Sequence, residues 1–150
     1  MKVFKFGGAS VRNAEGVRNM ASIVKSFSGD MIIVISAMGK TTNALEEIVK
    51  NYFNGNKVEV VSQIEILRNY HLSIVKELFG QDETDTADRI TEEFSTLEKR
   101  LLSTSPSLDF DFEYDQVVSI GEILSSKIAS AYLNKANIPK NTRTNICLIS

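Results

Sequence analysis

The sequence predicts an α/β fold: a mostly parallel sheet with covering helices, incomplete within these residues and interrupted by a long helical excursion. Three observations carry this. Residues 2–53 alternate short apolar runs with amphipathic helical patterns, joined by glycine-containing turns; such alternation implies crossovers and parallel strands. "MIIVIS" (Met31–Ser36) is apolar almost throughout, as a strand covered on both faces must be. Between Lys57 and Leu102 helical periodicity continues with no strand signal.

Each element follows from its own residues. "KVFKF" (Lys2–Phe6) is short, rich in Val and Phe, and runs into Gly7-Gly8, so it reads as a strand ending in a turn. Val17, Met20, Ala21, Val24 and Phe27 recur at helix spacing, with Ser10 or Asn13 as the cap. "SGD" (Ser28–Asp30) stops that helix before the second strand. After "AMGKTT" a second helix begins; Asn43 and Glu46 have capping-box spacing, and Leu45, Ile48, Val49 and Tyr52 line one face. Val61, Ile64, Leu67, His71, Ile74 and Leu78 mark a long helix over Lys57–Phe79, ended by Gly80. Ala87, Ile90, Phe94, Leu97 and Leu101 mark its antiparallel partner. "STSPSLDFDF" (Ser103–Phe112) reads as a loop, and Asp115–Ala136 as one continuous helix with Val117, Ile120, Leu124, Ile128 and Ala131 on its stripe. "NIPKN" (Asn137–Asn141) turns the chain into a third strand, "TNICLIS" (Thr144–Ser150). A parallel domain that closes on its third strand reads as unfinished, and its open edge predicts self-association.

Composition narrows the function. The 150 residues, 43% hydrophobic and 24% charged, suit one soluble domain with a real core. A net charge of -2 excludes general nucleic-acid binding, which needs a basic excess, but leaves room for a small anionic ligand in a locally basic site. The single cysteine, Cys147, lies in an apolar run and reads as a buried structural thiol. No Cys/His cluster suggests zinc. The N-terminus lacks a signal-peptide apolar core, and the longest apolar run is too short to span a bilayer, so a cytoplasmic protein is expected, with no membrane partner.

Three stretches stand out as sites. "VISAMGKTTN" (Val34–Asn43) carries Gly-Lys-Thr, but a phosphate loop of the GxxxxGK[ST] type needs glycine where Val34 stands. The stretch still follows a parallel strand, where open α/β sheets bind ligands. Ser36, Thr41 and Thr42 supply hydroxyls there, against the plainer reading of a capped strand–helix turn. "KFGGAS" (Lys5–Ser10) is a second such turn: the glycines permit close backbone approach, the following helix directs free N–H groups toward it, and Lys5 offers a point charge for phosphate. The alternative is a tight turn with a solvated lysine. "DQVVSIGEILSSK" (Asp115–Lys127) places Gly121 inside a helix, where it costs roughly 1 kcal/mol against alanine and therefore marks close packing or function. Glu122 beside it is either a ligand for an ammonium or a surface carboxylate. His71 lies on an apolar stripe and reads as a helix-packing or partly exposed histidine. Asp109, Asp111, Glu113 and Asp115 read as loop acids and favourable charge at a helix N-terminus rather than metal ligands.

Taken together and in order, "KFGGASV", "VISAMGKTTN" and "DQVVSIGEILSSK" resemble the three N-terminal motifs of aspartokinases, within the amino acid kinase family. The resemblance runs from the first strand to about Ala136, and the long helical excursion fits it as well. It implies a three-layer α/β/α sandwich of the amino acid kinase (carbamate kinase-like) type, with residues 1–150 forming the aspartate-binding N-terminal part of the domain. It implies transfer of the ATP γ-phosphoryl group to the β-carboxylate of L-aspartate, at the head of lysine, threonine and methionine synthesis. By the same resemblance, Lys5 is catalytic and contacts the ATP phosphates with Gly7, Gly8 and Ser10. Ser36, Thr42 and Asn43 hold aspartate, Glu122 binds its α-ammonium, and Mg²⁺ accompanies ATP without a protein metal site of its own. A homo-oligomer is implied for the full-length form. Two departures stand out: Ala9 replaces the usual threonine, and the later nucleotide-binding half and ACT domains are absent, so the 150 residues alone are expected to be inactive. The rival readings are a non-catalytic small-ligand module and a kinase for a different amino acid.

Overall fold

The computed structural model describes residues 1–80, 85–106, 109–136 and 144–147, the last four as backbone. Its elements are β1 (Lys2–Phe6), α1 (Ala14–Lys25), β2 (Met31–Ile35), α2 (Thr41–Phe53), α3 (Lys57–Phe79), α4 (Asp85–Ser103), α5 (Phe110–Val118), α6 (Ile120–Lys135) and β3 (Thr144–Cys147). The strands form a parallel sheet in the order β1-β2-β3, with Lys5 opposite Val34 and Val34 opposite Cys147. The apolar run takes the central position because both its neighbours and its faces are protein: Met31, Ile33, Val34 and Ile35 are all buried. The predicted turn at Asn137–Asn141, the burial of the Cys147 side chain and the strand residues beyond Cys147 lie outside the described residues.

The helices assemble around α6, which packs on β2 and also touches α1, α2, α3, α4 and α5. The excursion is an antiparallel pair: Arg68 of α3 bonds Glu98 of α4 at 2.8 Å, while His71, further along α3, packs on Phe94, earlier in α4. Gly80 ends α3 with φ 88, a left-handed geometry that glycine adopts without penalty.

Three local expectations are corrected, and the choice between two caps for α1 is decided. Helix α2 starts at Thr41 with Lys40 at the cap and no side-chain cap bond, so Asn43 lies inside the helix. Its supposed capping-box partner Glu46 instead accepts the Tyr114 hydroxyl at 2.7 Å. Helix α1 is capped by Asn13, whose side chain accepts from the Gly16 N–H, and Ser10 lies upstream of it. Helix α3 buries Val60 and leaves Val61 more exposed, because adjacent valines compete for one helix face and packing decides. Finally, Ser103–Phe112 is not all loop and Asp115–Ala136 is not one helix. Asp109 caps α5, accepting from the Phe112 N–H at 3.0 Å, and the chain breaks at Ser119. There Ser119 Oγ lies 3.4 Å from the Gln116 carbonyl.

Candidate active site at three converging turns

The first two turns are joined through backbone. Beyond the last β1–β2 pair, the Ser36 N–H donates to the Phe6 carbonyl at 3.1 Å, and the Gly39 N–H donates to the Gly8 carbonyl at 3.0 Å. Gly8 has no room for a side chain: a Cβ there would stand 2.4 Å from the Ala37 carbonyl oxygen. Gly39 has φ 58, and a Cβ on it would meet the Tyr70 hydroxyl at 2.6 Å. The third stretch arrives on α6. A Cβ on Gly121 would lie 2.8 Å from Ala37 Cβ and 3.3 Å from Thr41 Cγ2. Ala37, a residue without a polar side chain, is thus the point where all three stretches meet, and two glycines exist to reach it.

This convergence carries Glu122 to the site. It lies in the first turn of α6, one residue after the Gly121–Ala37 contact. Its Oε2 is buried and has no hydrogen-bond partner. An unmatched buried carboxylate oxygen costs at least ~1–3 kcal/mol, so the position suits a cationic ligand group. Lys5 near the end of β1 is exposed and forms no ion pair among the described residues, leaving its charge available.

The start of α2 contributes donors. The Thr41 N–H is used by Met38 and the Ala44 N–H by Lys40, whereas those of Thr42 and Asn43 have no partner among the described residues. Free N–H groups at a helix start, backed by the helix dipole, attract an anion such as a carboxylate. The first turn is less of an anion site than the sequence suggests. Residues 8–13 lie between Gly7 and α1, and the Asn13 side chain already occupies one of the α1 donors. Ser10 donates its N–H to the Gly7 carbonyl at 2.9 Å and presses its own carbonyl against Gly16, leaving its hydroxyl exposed.

Sequence reasoning missed the layer behind the second turn. Thr41 is buried and its hydroxyl donates to the Met38 carbonyl at 2.6 Å, and His71 Nε2 stands 3.4 Å from Thr41 Oγ1. His71 is fully buried, and burial pushes its pKa down to about 4, so it is neutral. Its location on the apolar stripe was the one available signal. A cleft of about 490 Å³ opens beside Gly39, Lys40 and Tyr70, and a larger one of about 690 Å³ lies between Phe79, Arg89, Lys127 and Asn134, lined by no residue of the first two turns. Among the described residues no group of three or more His, Cys, Asp or Glu side chains is arranged to hold a metal, and no helix is long and apolar enough to cross a membrane.

The parallel sheet with covering helices thus carries a glycine turn after β1, a serine-led turn after β2 and a Gly-Glu helix that meets the second turn at Ala37. The chain belongs to the amino acid kinase family, which it matches over residues 1–144. Its relatives are more particular. It is 35% identical over 136 residues to Aspartokinase 2, chloroplastic, of Arabidopsis thaliana, spanning 89% of this chain and 24% of that protein. It is 28% identical over 138 residues to Lysine-sensitive aspartokinase 3 of Escherichia coli, spanning 91% of this chain and 29% of that one. Among solved structures, E. coli aspartokinase III in complex with aspartate and ADP (R-state) superposes with a TM-score of 0.76 at 23% identity, over 91% of this chain and 29% of that chain. Its complex with lysine and aspartate (T-state) gives 0.69 at 26% identity, over 93% and 30%. The chain therefore spans 24–30% of the length of these relatives.

Proposed function

We propose that these residues form the aspartate-binding part of an aspartokinase, which transfers the γ-phosphoryl group of Mg-ATP to the β-carboxylate of L-aspartate. The observation that carries this is the Gly8–Ala37–Gly121 contact, which brings three separate stretches together beside a buried, unpartnered Glu122 oxygen. The kinship with proteins named aspartokinases supports it, as does a solved relative that holds aspartate.

The chemistry suits the residues. A carboxylate nucleophile is ionised at neutral pH, so no general base is required. Catalysis rests on positioning two anions and neutralising the charge between them. Lys5, with Gly7, Gly8 and Ser10, faces the phosphates. Ser36, Thr42 and Asn43 hold the aspartate, with the free N–H groups of α2 available to a carboxylate. Glu122 pairs with the α-ammonium. Magnesium arrives on the nucleotide. On this reading the protein is cytoplasmic, and the complete enzyme is a homo-oligomer.

The test is an aspartate-dependent phosphorylation assay with Mg-ATP. The complete enzyme should turn over L-aspartate, whereas residues 1–150 alone should not, because most of the nucleotide pocket belongs to the remainder. Turnover by the 150 residues alone would overturn the division of the domain. Activity on a different amino acid with none on aspartate would overturn the substrate.

A further inference from the structure

We propose that Tyr70 and His71, on the helical excursion, are positioning residues that hold the second turn in its substrate-binding shape. This rests on the reading of that turn given above. Neither residue belongs to a motif stretch.

The Tyr70 hydroxyl donates to the Arg12 carbonyl, in the loop that follows the first turn. The same oxygen crowds Gly39, where a Cβ would come within 2.6 Å of it. One hydroxyl thus pins the first-turn loop and sets how far the second turn can move toward α3. His71 does the neighbouring job. Its ring packs edge-on against Tyr70 at 5.0 Å and lies 5.6 Å from Phe94 of α4. Nδ1 donates to the Leu67 carbonyl at 2.8 Å, which fixes the ring and leaves Nε2 of the neutral imidazole as an acceptor.

Nε2 faces Thr41 Oγ1 at 3.4 Å, while that hydroxyl bonds the Met38 carbonyl at 2.6 Å. The Thr41 proton has two acceptors within reach, one on its own turn and one on α3. From the other side, the Thr41 methyl abuts Gly121. Thr41 is therefore held between α3 and α6, and it immediately precedes Thr42 and the free N–H groups of α2. A misplacement of about 1 Å at a substrate-positioning group costs roughly 10²-fold, so a loosened Thr41 should be felt in aspartate binding.

Steady-state kinetics of the complete enzyme test this, with a urea midpoint for each variant. Tyr70→Phe removes one oxygen and keeps the ring. It should raise KM for aspartate about tenfold while kcat and KM for ATP stay within about twofold, the signature of lost substrate binding alone. His71→Gln places its amide near the Nε2 position and should keep KM for aspartate near the wild-type value. His71→Asn places its amide near Nδ1, loses the group facing Thr41, and should raise KM as Tyr70→Phe does. Unchanged KM for aspartate in Tyr70→Phe and His71→Asn would overturn the inference. So would equal KM shifts in the two His71 variants, which would mean that packing alone matters. Should the histidine variants fail to fold, Tyr70→Phe decides by itself. Absence of aspartate turnover by the wild-type enzyme would overturn the reading on which this rests, and the inference with it.

Discussion

The three turns and the α3–α4 excursion are held together in different ways. At the turns the contacts are between backbone atoms and single carbons: Phe6 to Ser36, Gly8 to Gly39, Gly8 to Ala37, Gly121 to Ala37. In the excursion they are between large side chains: Ile64, Leu67, Ile90, Phe94 and Leu97 in the core, with Arg68 and Glu98 across the seam. Backbone contacts have no rotamers with which to absorb a change, whereas a side-chain core partly relaxes. The site is therefore precise where its residues are smallest, and the bulky region supplies mass behind it.

The largest effect on activity is expected at Lys5. Lys5→Ala in the complete enzyme should lower kcat by ~10²–10³-fold, the usual loss for one electrostatic partner of a transition state, with the urea midpoint unchanged because Lys5 is exposed. Near-normal turnover would remove Lys5 from the phosphate site. Two substitutions of opposite size separate the two regions. Gly8→Ala adds one methyl against the Ala37 carbonyl and should destabilise by about 3 kcal/mol or prevent folding. Phe94→Leu, at a fully buried position, removes several carbons and should cost only about 1–2 kcal/mol. Equal or reversed urea midpoints would show that the turns relax as readily as the core.

Acid should expose the buried histidine. His71 has a pKa of about 4 in the folded protein against about 6.5 unfolded, so between these values the unfolded chain binds more protons. Stability contributed by the neutral ring is complete above pH 6.5 and declines as pH falls toward 4. The loss amounts to about 3 kcal/mol. Urea midpoints across this range should fall for the wild type and less for His71→Gln; parallel profiles would show that the ring is solvated. The smallest effect is expected at the surface pair Arg89–Asp85, 3.2 Å apart and well exposed, where Arg89→Ala should change stability by less than about 0.5 kcal/mol.

Much of this was legible in the sequence. The strands and most of the buried helix stripes follow from periodicity, although Phe27 lies beyond the end of α1 and is exposed; Gly121, expected inside a helix and found in the first turn of α6, announced a close approach before its partner was known. What escaped were features set by tertiary contact. No local pattern says that Ala37 would be the common neighbour of Gly8 and Gly121, since an alanine carries no signal of its own. The break at Ser119 was hidden because apolar spacing continues across it. Asn43 and Glu46 had the right spacing for a cap, but Tyr114, 68 residues from Glu46, claims the carboxylate. His71 proved to be a packing histidine, not a partly exposed one, yet its contact with Thr41 depends on how α3 docks behind the second turn.

The central claim is that Glu122, carried to the turns by Gly121, receives the ammonium of aspartate. The direct measurement is the KM for aspartate and for ATP in Glu122→Gln, an isosteric change in the complete enzyme. A rise of about 10–100-fold for aspartate, with ATP unaffected, is expected from the loss of one charge-assisted hydrogen bond. An unchanged KM for aspartate would contradict the account.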